Sequence, residues 1–417
     1  MRRVLVVLPF YGGSLPVGRY CVAALREIGC LVETFESPSF FSAFNAVKEL
    51  NVSMSRQEFL ENSFLQVVTQ SILATVESFE PDLVLCMAQA PMSRQGLTKL
   101  RKDGVTTAMW FVEDYRLFTY WRAFAPFYDV FAVIQKEPFL SELAANGVAN
   151  ALYLPLAADP AVHTPLTLTD EEKQLFGADL SFMGAGYPNR RAAFKQLAQY
   201  GLKIWGTEWE DEPLLEPLVQ MQGKRIGTED AVRIFNAAAI NLNLHSSVNP
   251  EEAVSHGDFV NPRTFEIAAC GAFQLVDSRT LMPELFNEGD LATFDSMHDL
   301  EEKIAYFRNN PEERAVYAAR GRERVLRDHT YAARMRALLD FTVERLPHAV
   351  KEKSRSWPED LPDSLRAELT EMYTAMGLPS KASFDDVVAA VRRKEGELSP
   401  LETAVLFLDE WKKQYSL

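Results

Sequence analysis

The sequence predicts an α/β protein with two doubly wound halves, each built on a parallel sheet, followed by a small helical extension. Short apolar runs alternate with amphipathic stretches over residues 4–154, which is the rhythm of consecutive β-α-β units. A polar, proline-punctuated segment then interrupts the pattern, and the same alternation restarts at Leu180. These observations predict a domain at 1–155, a linker at 156–175, a second domain at 176–346 and a helical extension at 347–417.

The first half is predicted to alternate strands with helices. Its strands are apolar runs bounded by turn residues, as expected for strands buried on both faces. The predicted strands are Val4–Leu8, Leu31–Phe35, Leu83–Met87, Thr107–Val112, Val130–Ile134 and Ala151–Leu154. The predicted helices, which show amphipathic spacing, are Val17–Ile28, Arg56–Phe79, Gly96–Arg101 and Pro138–Asn146.

The second half repeats this order with its own strands and helices. The predicted strands are Leu180–Met183, Lys203–Trp205, Ile240–Leu244 and Ala272–Val276. The predicted helices are Arg190–Gln199, Glu229–Ala237, a short one before Gly271, Leu300–Asn309 and Pro311–Arg345. Two such halves place the carboxyl ends of both sheets at a cleft, which is where open α/β sheets bind ligands.

Composition and charge narrow the classes of partner. The chain has 417 residues, of which 47% are hydrophobic and 24% charged, an ordinary composition for a folded chain too long for one core. A net charge of -15 argues against a nucleic-acid surface and against docking on anionic lipid. No apolar run is long enough for a membrane span. The cysteines lack metal-type spacing, so we expect reduced thiols and a cytoplasmic location; they are Cys21, Cys30, Cys86 and Cys270.

The most informative stretch is 258–271, which sets a carboxylate inside a short apolar helix. Asn261 is predicted as the N-cap, Pro262 as the first helical residue and Gly271 as the left-handed terminator. Glu266 and Arg263 then lie one turn apart on one face. Because an ionised Glu is costly to bury alone, it needs Arg263, backbone donors or ligand hydroxyls. We favour ligand hydroxyls.

A glycine turn after the strand at Leu180 is a candidate phosphate site. Gly184 and Gly186 precede a helix start, where backbone amides can approach an anion, and Arg190 and Arg191 can close on a diphosphate. The alternative is a plain turn with solvent-facing arginines.

Two further turns follow predicted strands. Gly12 and Gly13 come after the first strand and would let a substrate approach the backbone, although such turns are common. Gly206 and Thr207 end another strand beside Trp205, which either contacts a nucleotide base or belongs to the core.

Three residues at predicted strand ends are candidates for catalysis. Glu113 and Asp114 follow a buried strand, so one of them can act as general base toward an acceptor hydroxyl; the alternative is a charged cap paired with Arg116. His245 also closes a strand and is a candidate donor to a sugar or phosphate oxygen, or a structural hydrogen-bonding residue. No Asp-x-Asp pair follows a strand, so we expect binding without a metal and no separate cofactor.

With these residues in view, the chain resembles the GT-B-fold glycosyltransferases, and among them the CgeB-type, spore-maturation-protein-like group. The segment 265–273, Phe-Glu-Ile-Ala-Ala-Cys-Gly-Ala-Phe, is similar to that group's Phe-Glu-Ala-x-Ala-Cys-Gly signature. The segments 241–245, Asn-Leu-Asn-Leu-His, and 261–264, Asn-Pro-Arg-Thr, precede it as in the family. The specific motifs cover roughly residues 180–340.

The resemblance implies roles for the signature residues. In the related group-1 transferases, an acidic residue, seven intervening residues and a Glu mark the donor site, and the second Glu holds the nucleotide ribose. Asp258 and Glu266 have this spacing, so Glu266 takes the ribose role, while Asp258 stands in place of the usual sugar-contacting Glu. Asn261, Arg263 and Thr264 belong to the same donor site.

The function implied is that of a hexosyltransferase-type glycosyltransferase, which moves a sugar from a nucleoside-diphosphate sugar to a hydroxyl of a protein or cell-surface glycan, in a bacterium. Two alternatives remain open: a nucleotide-sugar epimerase on the same fold, and a non-catalytic nucleotide-binding scaffold. The helices of the extension are a candidate homodimer contact.

Overall fold

A computed structural model describes residues 2–254, 257–346, 362–379, 382 and 384–415. The described residues form two compact units. Unit one comprises Met1–Met109, Phe127–Val130 and Phe341–Leu417, and unit two comprises Trp110–Pro126 and Phe131–Asp340. Residues 347–361 of the predicted extension lie outside the described residues, and the predicted domain boundaries stay predictions.

The first sheet has six strands in the order β2-β1-β3-β4-β5-β6. Strand β1 pairs parallel with β2 and β3, and β5 pairs parallel with β6. All five residues of β1 are buried, as its continuous apolar run predicts. The strands are β1 Arg3–Val7, β2 Leu31–Phe35, β3 Leu83–Met87, β4 Thr106–Phe111, β5 Val130–Val133 and β6 Ala151–Tyr153.

Helices connect these strands close to their predicted positions. A helix at Phe41–Lys48 was not predicted, and none of its residues is fully buried. The helices are α1 Ser14–Glu27, α2 Phe41–Lys48, α3 Met54–Phe79, α4 Arg94–Lys102, α5 Trp121–Phe124 and α6 Phe139–Ala145.

The second sheet has five strands in the order β11-β10-β9-β7-β8, and its paired strands run parallel. Its core includes Phe182, Phe194 and Trp209, with the rings of Phe194 and Trp209 stacked 5.5 Å apart. The strands are β7 Ala178–Met183, β8 Leu202–Trp205, β9 Ala238–Asn243, β10 Gln274–Asp277 and β11 Ala292–Phe294. The helices are α7 Asp170–Phe176, α8 Pro188–Leu197, α9 Thr228–Ala237, α10 Pro262–Ala269, α11 Met282–Leu285, α12 Met297–Asn309, α13 Pro311–Asp328 and α14 Tyr331–Arg345.

The long helix predicted at 311–345 is two helices, so that prediction was wrong. His329 leaves the helical region with φ -127° and ψ 46°, and Thr330 forms a parallel bridge with Ala158. The Ala158 amide donates to the His329 carbonyl at 3.0 Å, and the Tyr331 amide donates to the Ala158 carbonyl at 3.1 Å. A pairing partner far away in the sequence therefore interrupts a segment that has good helical composition throughout.

The segment predicted as a linker begins with an ordered, buried stretch in unit two. Leu156, Ala157 and Ala158 are all buried. Arg334 donates from Nε to the Pro155 carbonyl at 2.7 Å and from Nη2 to the Leu156 carbonyl at 3.1 Å. This stretch is therefore fixed on the start of α14.

The described part of the extension belongs to unit one and holds three helices, α15 Asp363–Ala375, α16 Phe384–Arg393 and α17 Pro400–Tyr415. Arg393 of α16 pairs with Glu33 of β2 at 2.7 Å. Asp386 of α16 lies 3.9 Å from Arg3 of β1, and both side chains are buried. None of the described helices combines the length and the apolar character needed to cross a bilayer.

Candidate functional site

The helix that carries the signature, α10, starts and stops as predicted. The Asn261 side chain accepts a hydrogen bond from the Thr264 amide at 3.1 Å, Pro262 is the first helical residue, and Gly271 has φ +66°. Thr264 is buried, and its hydroxyl accepts from Asn243 at 3.0 Å. The N-terminus of α10 is therefore held by buried side chains rather than by solvent.

Glu266 lies in the second turn of α10 and is only 4% exposed. Arg263, one turn before it, donates to Glu266 Oε2. Arg263 is therefore one of the predicted partners of the buried charge, and the preference for ligand hydroxyls stays a prediction. Because the Arg263 side chain is 35% exposed, the pair still reaches the surface of unit two.

A histidine that sequence reasoning missed faces the same carboxylate. His163 Nε2 lies 3.8 Å from Glu266 Oε1, and the His163 side chain is 2% exposed. Its Nδ1 accepts a hydrogen bond from the Asp159 amide at 3.1 Å. Burial lowers the pKa of His163, with Glu266 opposing this shift, so the imidazole is neutral at pH 7. His163 was missed because it lies in a predicted linker and outside any motif that would mark it as a site residue.

His245 is buried and uses both ring nitrogens inside unit two. Nδ1 lies 2.6 Å from Asp277 Oδ1, and Nε2 accepts from the Asn261 amide at 2.8 Å. Burial lowers the pKa of His245, against the influence of Asp277, and the accepting Nε2 implies that Nδ1 carries the proton. This geometry favours the structural interpretation, in which His245 fixes the backbone at the start of α10.

In the predicted phosphate turn, the backbone at Gly184 and Gly186 packs directly against the backbone at 205–207. The Gly184 amide donates to the Trp205 carbonyl, and the Gly186 amide donates to the Thr207 carbonyl, both at 2.9 Å. Gly206 has φ +126°, and a Cβ there would lie 2.4 Å from the Gly184 carbonyl oxygen. Both predicted amide donors are therefore already used, which contradicts their direct role in holding a diphosphate. Trp205 is fully buried, so it belongs to the core.

The two arginines after this turn also bond to backbone. Arg190 is buried and donates to the Leu244 carbonyl at 2.9 and 2.7 Å and to the Ala185 carbonyl at 2.9 Å. Burial lowers the pKa of Arg190 to about 10, which leaves it charged at pH 7. Arg191 donates to the Gly186 carbonyl at 2.7 Å and to the Glu210 carbonyl at 3.1 Å. They hold the turn in shape, and the solvent-facing alternative does not fit Arg190, whereas Arg191 is partly exposed.

The glycine packing makes a stability prediction. A Cβ at Gly186 would lie 2.0 Å from the Glu208 carbonyl oxygen, so Gly186→Ala must displace backbone. We expect a loss of about 1–3 kcal/mol of unfolding free energy, seen as a lower melting temperature by circular dichroism. The control is Gly227→Ala, which has φ -74° and open space around the new methyl group. Equal melting temperatures for the two variants would contradict the packing argument.

Residues after β4 and β5 contact Asp258 within unit two. Asp258 Oδ1 accepts from Gln135 Nε2 at 2.8 Å and lies 3.6 Å from Arg116 Nη1. Asp258 Oδ2 is buried without a hydrogen-bond partner. Asp114 Oδ1 accepts from the Arg116 amide at 2.9 Å, while Glu113 accepts from the Tyr120 hydroxyl at 2.7 Å. Arg116 therefore contacts Asp114 through its backbone amide and Asp258 through its guanidinium group.

Gly12 and Gly13 lie in unit one, in the turn between β1 and α1. Gly12 has φ +99°, and a Cβ there would lie 3.7 Å from Gln89 Oε1. Gly13 has open space around it, and Ser14, the first residue of α1, donates to the Ala88 carbonyl at 3.0 Å. The turn leaves room beside the backbone, and its contact with a substrate stays a prediction.

Across the described residues, no group of three or more His, Cys, Asp or Glu side chains is arranged to hold a metal ion. The site in unit two contains the buried carboxylate of Glu266, which Arg263 and His163 face, and the carboxylate of Asp258 eight positions earlier in the sequence. Such an arrangement suits hydrogen bonding to hydroxyl groups.

Part of the chain, including the two carboxylates of this site, matches a known family. Residues 190–340, which include α10, match the family described as glycosyl transferase-like. The spore protein CgeB of Bacillus subtilis is 28% identical over 267 residues, which is 59% of this chain and 78% of that protein.

Solved structures of similar fold are more distant in sequence. Sucrose-phosphate synthase from Thermosynechococcus elongatus has a TM-score of 0.56 and 13% identity, covering 82% of this chain and 99% of that one. Anabaena HepE in complex with UDP-glucose has a TM-score of 0.56 and 12% identity, covering 82% and 100%.

The fold is that of the GT-B glycosyltransferases, with two parallel Rossmann-like sheets and added C-terminal helices. Within that class, residues 190–340 match the glycosyl transferase-like family, and the chain is similar to the CgeB-type proteins.

Proposed function

We propose that this protein is a hexosyltransferase that moves a sugar from a nucleoside-diphosphate sugar to an acceptor hydroxyl, without a metal ion. The observation that carries the proposal is the buried Glu266 carboxylate, held by Arg263 inside the segment that matches the family. Anabaena HepE, whose fold is similar, has been solved in complex with UDP-glucose, which supports a nucleotide sugar as the donor here.

In this proposal, the residues of α10 bind the nucleotide. Glu266 accepts hydrogen bonds from the ribose hydroxyls, because an ionised carboxylate binds hydroxyl donors more strongly than a neutral acceptor does. Asn261 and Thr264 set the start of the helix. Arg263 is the diphosphate contact in this proposal, since its side chain is 35% exposed whereas Arg190 is buried. It would stabilise negative charge on the leaving diphosphate.

The carboxylates outside α10 take the remaining roles. Asp258 accepts a hydrogen bond from a hydroxyl of the transferred sugar. It stands at the position where the related transferases have Glu. Asp114 serves as general base if the reaction inverts the anomeric centre, since Glu113 already holds the Tyr120 hydroxyl. The hydroxyl acceptor is a protein or a cell-surface glycan, and we propose a location in the bacterial cytoplasm because the cysteines are buried free thiols.

A thermal-shift panel tests this function directly. UDP, GDP, dTDP and their glucose or mannose conjugates are each added in the presence of EDTA. A ligand at one hundred times its Kd adds about 2.7 kcal/mol of stability. We expect one nucleoside diphosphate and its sugar to raise the melting temperature by about 5 °C, with EDTA making no difference.

The other outcomes of the panel separate the rival functions. No shift with any nucleotide would reject the transferase and would leave only a scaffold whose nucleotide pocket is vestigial. If EDTA abolishes the shift, only the proposal that binding needs no metal ion is rejected. Conversion of the donor sugar without an acceptor, seen by nuclear magnetic resonance, would favour the epimerase.

A further inference from the structure

The segment that presents His163 is fixed in place by the start of α14. Thr330 forms a parallel bridge with Ala158, and Arg334 donates to the carbonyls of Pro155 and Leu156. The Ala158 amide also donates to the His329 carbonyl at 3.0 Å. These contacts determine the path of the chain up to Ala158, so the residues that follow start from a defined position.

A tight turn then sets the orientation of the His163 ring. The amides of Val162 and His163 donate to the Asp159 carbonyl at 3.1 and 2.7 Å, and the Ala161 amide donates to Asp159 Oδ1 at 3.0 Å. The ring closes this turn, because Nδ1 accepts from the Asp159 amide at 3.1 Å. In a neutral imidazole that accepts at Nδ1, the proton is on Nε2.

The ring therefore presents an N–H group to the carboxylate of Glu266. The distance from Nε2 to Oε1 is 3.8 Å, which is longer than a direct hydrogen bond. Arg263 holds the other oxygen, Oε2, from within α10. Glu266 thus lies between a cation on one oxygen and an N–H dipole on the other.

We propose that His163 is a positioning residue of the donor site, which keeps Glu266 oriented for the ribose hydroxyls of a nucleoside diphosphate. This inference rests on the proposed function, and it adds to the site a residue that lies well outside the signature segment. A carboxylate held from two sides loses less freedom when a ligand binds, so removing one side lowers affinity for the ligand.

Two variants of His163 separate positioning from simple structural support. His163→Asn keeps an acceptor near Nδ1 for the Asp159 amide and removes the donor that faces Glu266. His163→Gln can carry an N–H donor out to the position of Nε2. We expect His163→Asn to weaken binding about tenfold and His163→Gln to retain most of it. The probes are UDP, GDP and dTDP, with affinities measured by isothermal titration calorimetry on the full chain.

A double-mutant cycle with Glu266→Ala provides the decisive readout. If His163 acts through Glu266, the affinity of the double variant should equal that of Glu266→Ala alone. Losses that multiply in the double variant, or wild-type affinity in His163→Asn, would overturn the proposed positioning role. If His163→Gln binds as weakly as His163→Asn while both melt at the wild-type temperature, the N–H donor is not what matters, which also overturns it. Failure of the wild-type chain to bind any of the three probes would instead reject the proposed function itself.

Discussion

Glu266→Ala is expected to weaken binding of the nucleoside diphosphate by about one hundredfold or more. The variant removes two hydrogen bonds from ribose hydroxyls to a charged group, each worth about 1.5–3 kcal/mol, and about 1.4 kcal/mol corresponds to a tenfold change in Kd. Calorimetric titration with the nucleotide that gives the largest thermal shift measures the change. Affinity equal to that of the wild-type chain would reject the assignment of Glu266 to the ribose.

The fold should survive this substitution, because the cation left behind has access to water. The Arg263 side chain is 35% exposed, so its charge is not stranded in the core. Two controls test specificity. Glu302→Ala removes a carboxylate that is 68% exposed on α12 and should leave both affinity and melting temperature unchanged. Glu266→Gln keeps the shape of the side chain and should lose less affinity than Glu266→Ala, since an amide oxygen still accepts one hydrogen bond.

Asp386→Ala is expected to destabilise unit one by about 3–5 kcal/mol, because it leaves a buried cation without its counter-charge. Asp386 is 1% exposed and lies 3.9 Å from Arg3, whose side chain is 5% exposed. Burial lowers the pKa of Arg3, and Asp386 is the main group that opposes this shift. Arg3 also donates to the Phe79 carbonyl and lies 4.9 Å from the centre of the Phe79 ring.

Hydrogen exchange of peptides from β1 and α16 measures this effect locally. We expect exchange to become faster by about one hundredfold or more, since about 1.4 kcal/mol corresponds to a factor of ten. The matched control is Glu368→Ala on α15, an exposed carboxylate whose removal should change nothing. The double variant Arg3→Met with Asp386→Leu should recover most of the protection, because apolar side chains can replace a buried ion pair. Slow exchange in Asp386→Ala would show that the pair contributes little.

The sequence was sufficient to predict the elements that depend on local patterns. Alternating apolar and amphipathic runs identified both parallel sheets, and the caps at Asn261 and Gly271 set the limits of α10. The break between α13 and α14 was not predictable in this way. Its cause is the bridge from Thr330 to Ala158, and a local helical pattern contains no information about a partner so distant along the chain.

In the candidate site, too, only the features that depend on local sequence were predictable. The pairing of Glu266 with Arg263 follows from helical spacing, so the sequence already included it among the alternatives. The use of the Gly184 and Gly186 amides by neighbouring carbonyls depends on how two loops approach each other. His163 was missed because its approach to Glu266 depends on the tertiary path of the 155–163 segment.

The pair formed by Arg3 and Asp386 also bears on the order of events during synthesis. Arg3 belongs to β1, and its counter-charge, Asp386, is in α16, which is made much later than β1. Until α16 has been made, the Arg3 cation lacks this partner at a position that is buried in the folded protein. The first sheet therefore cannot reach its full stability. Chaperone binding to the first sheet should therefore persist until α16 has emerged, and ribosome-bound chains stopped before residue 386 should remain sensitive to protease.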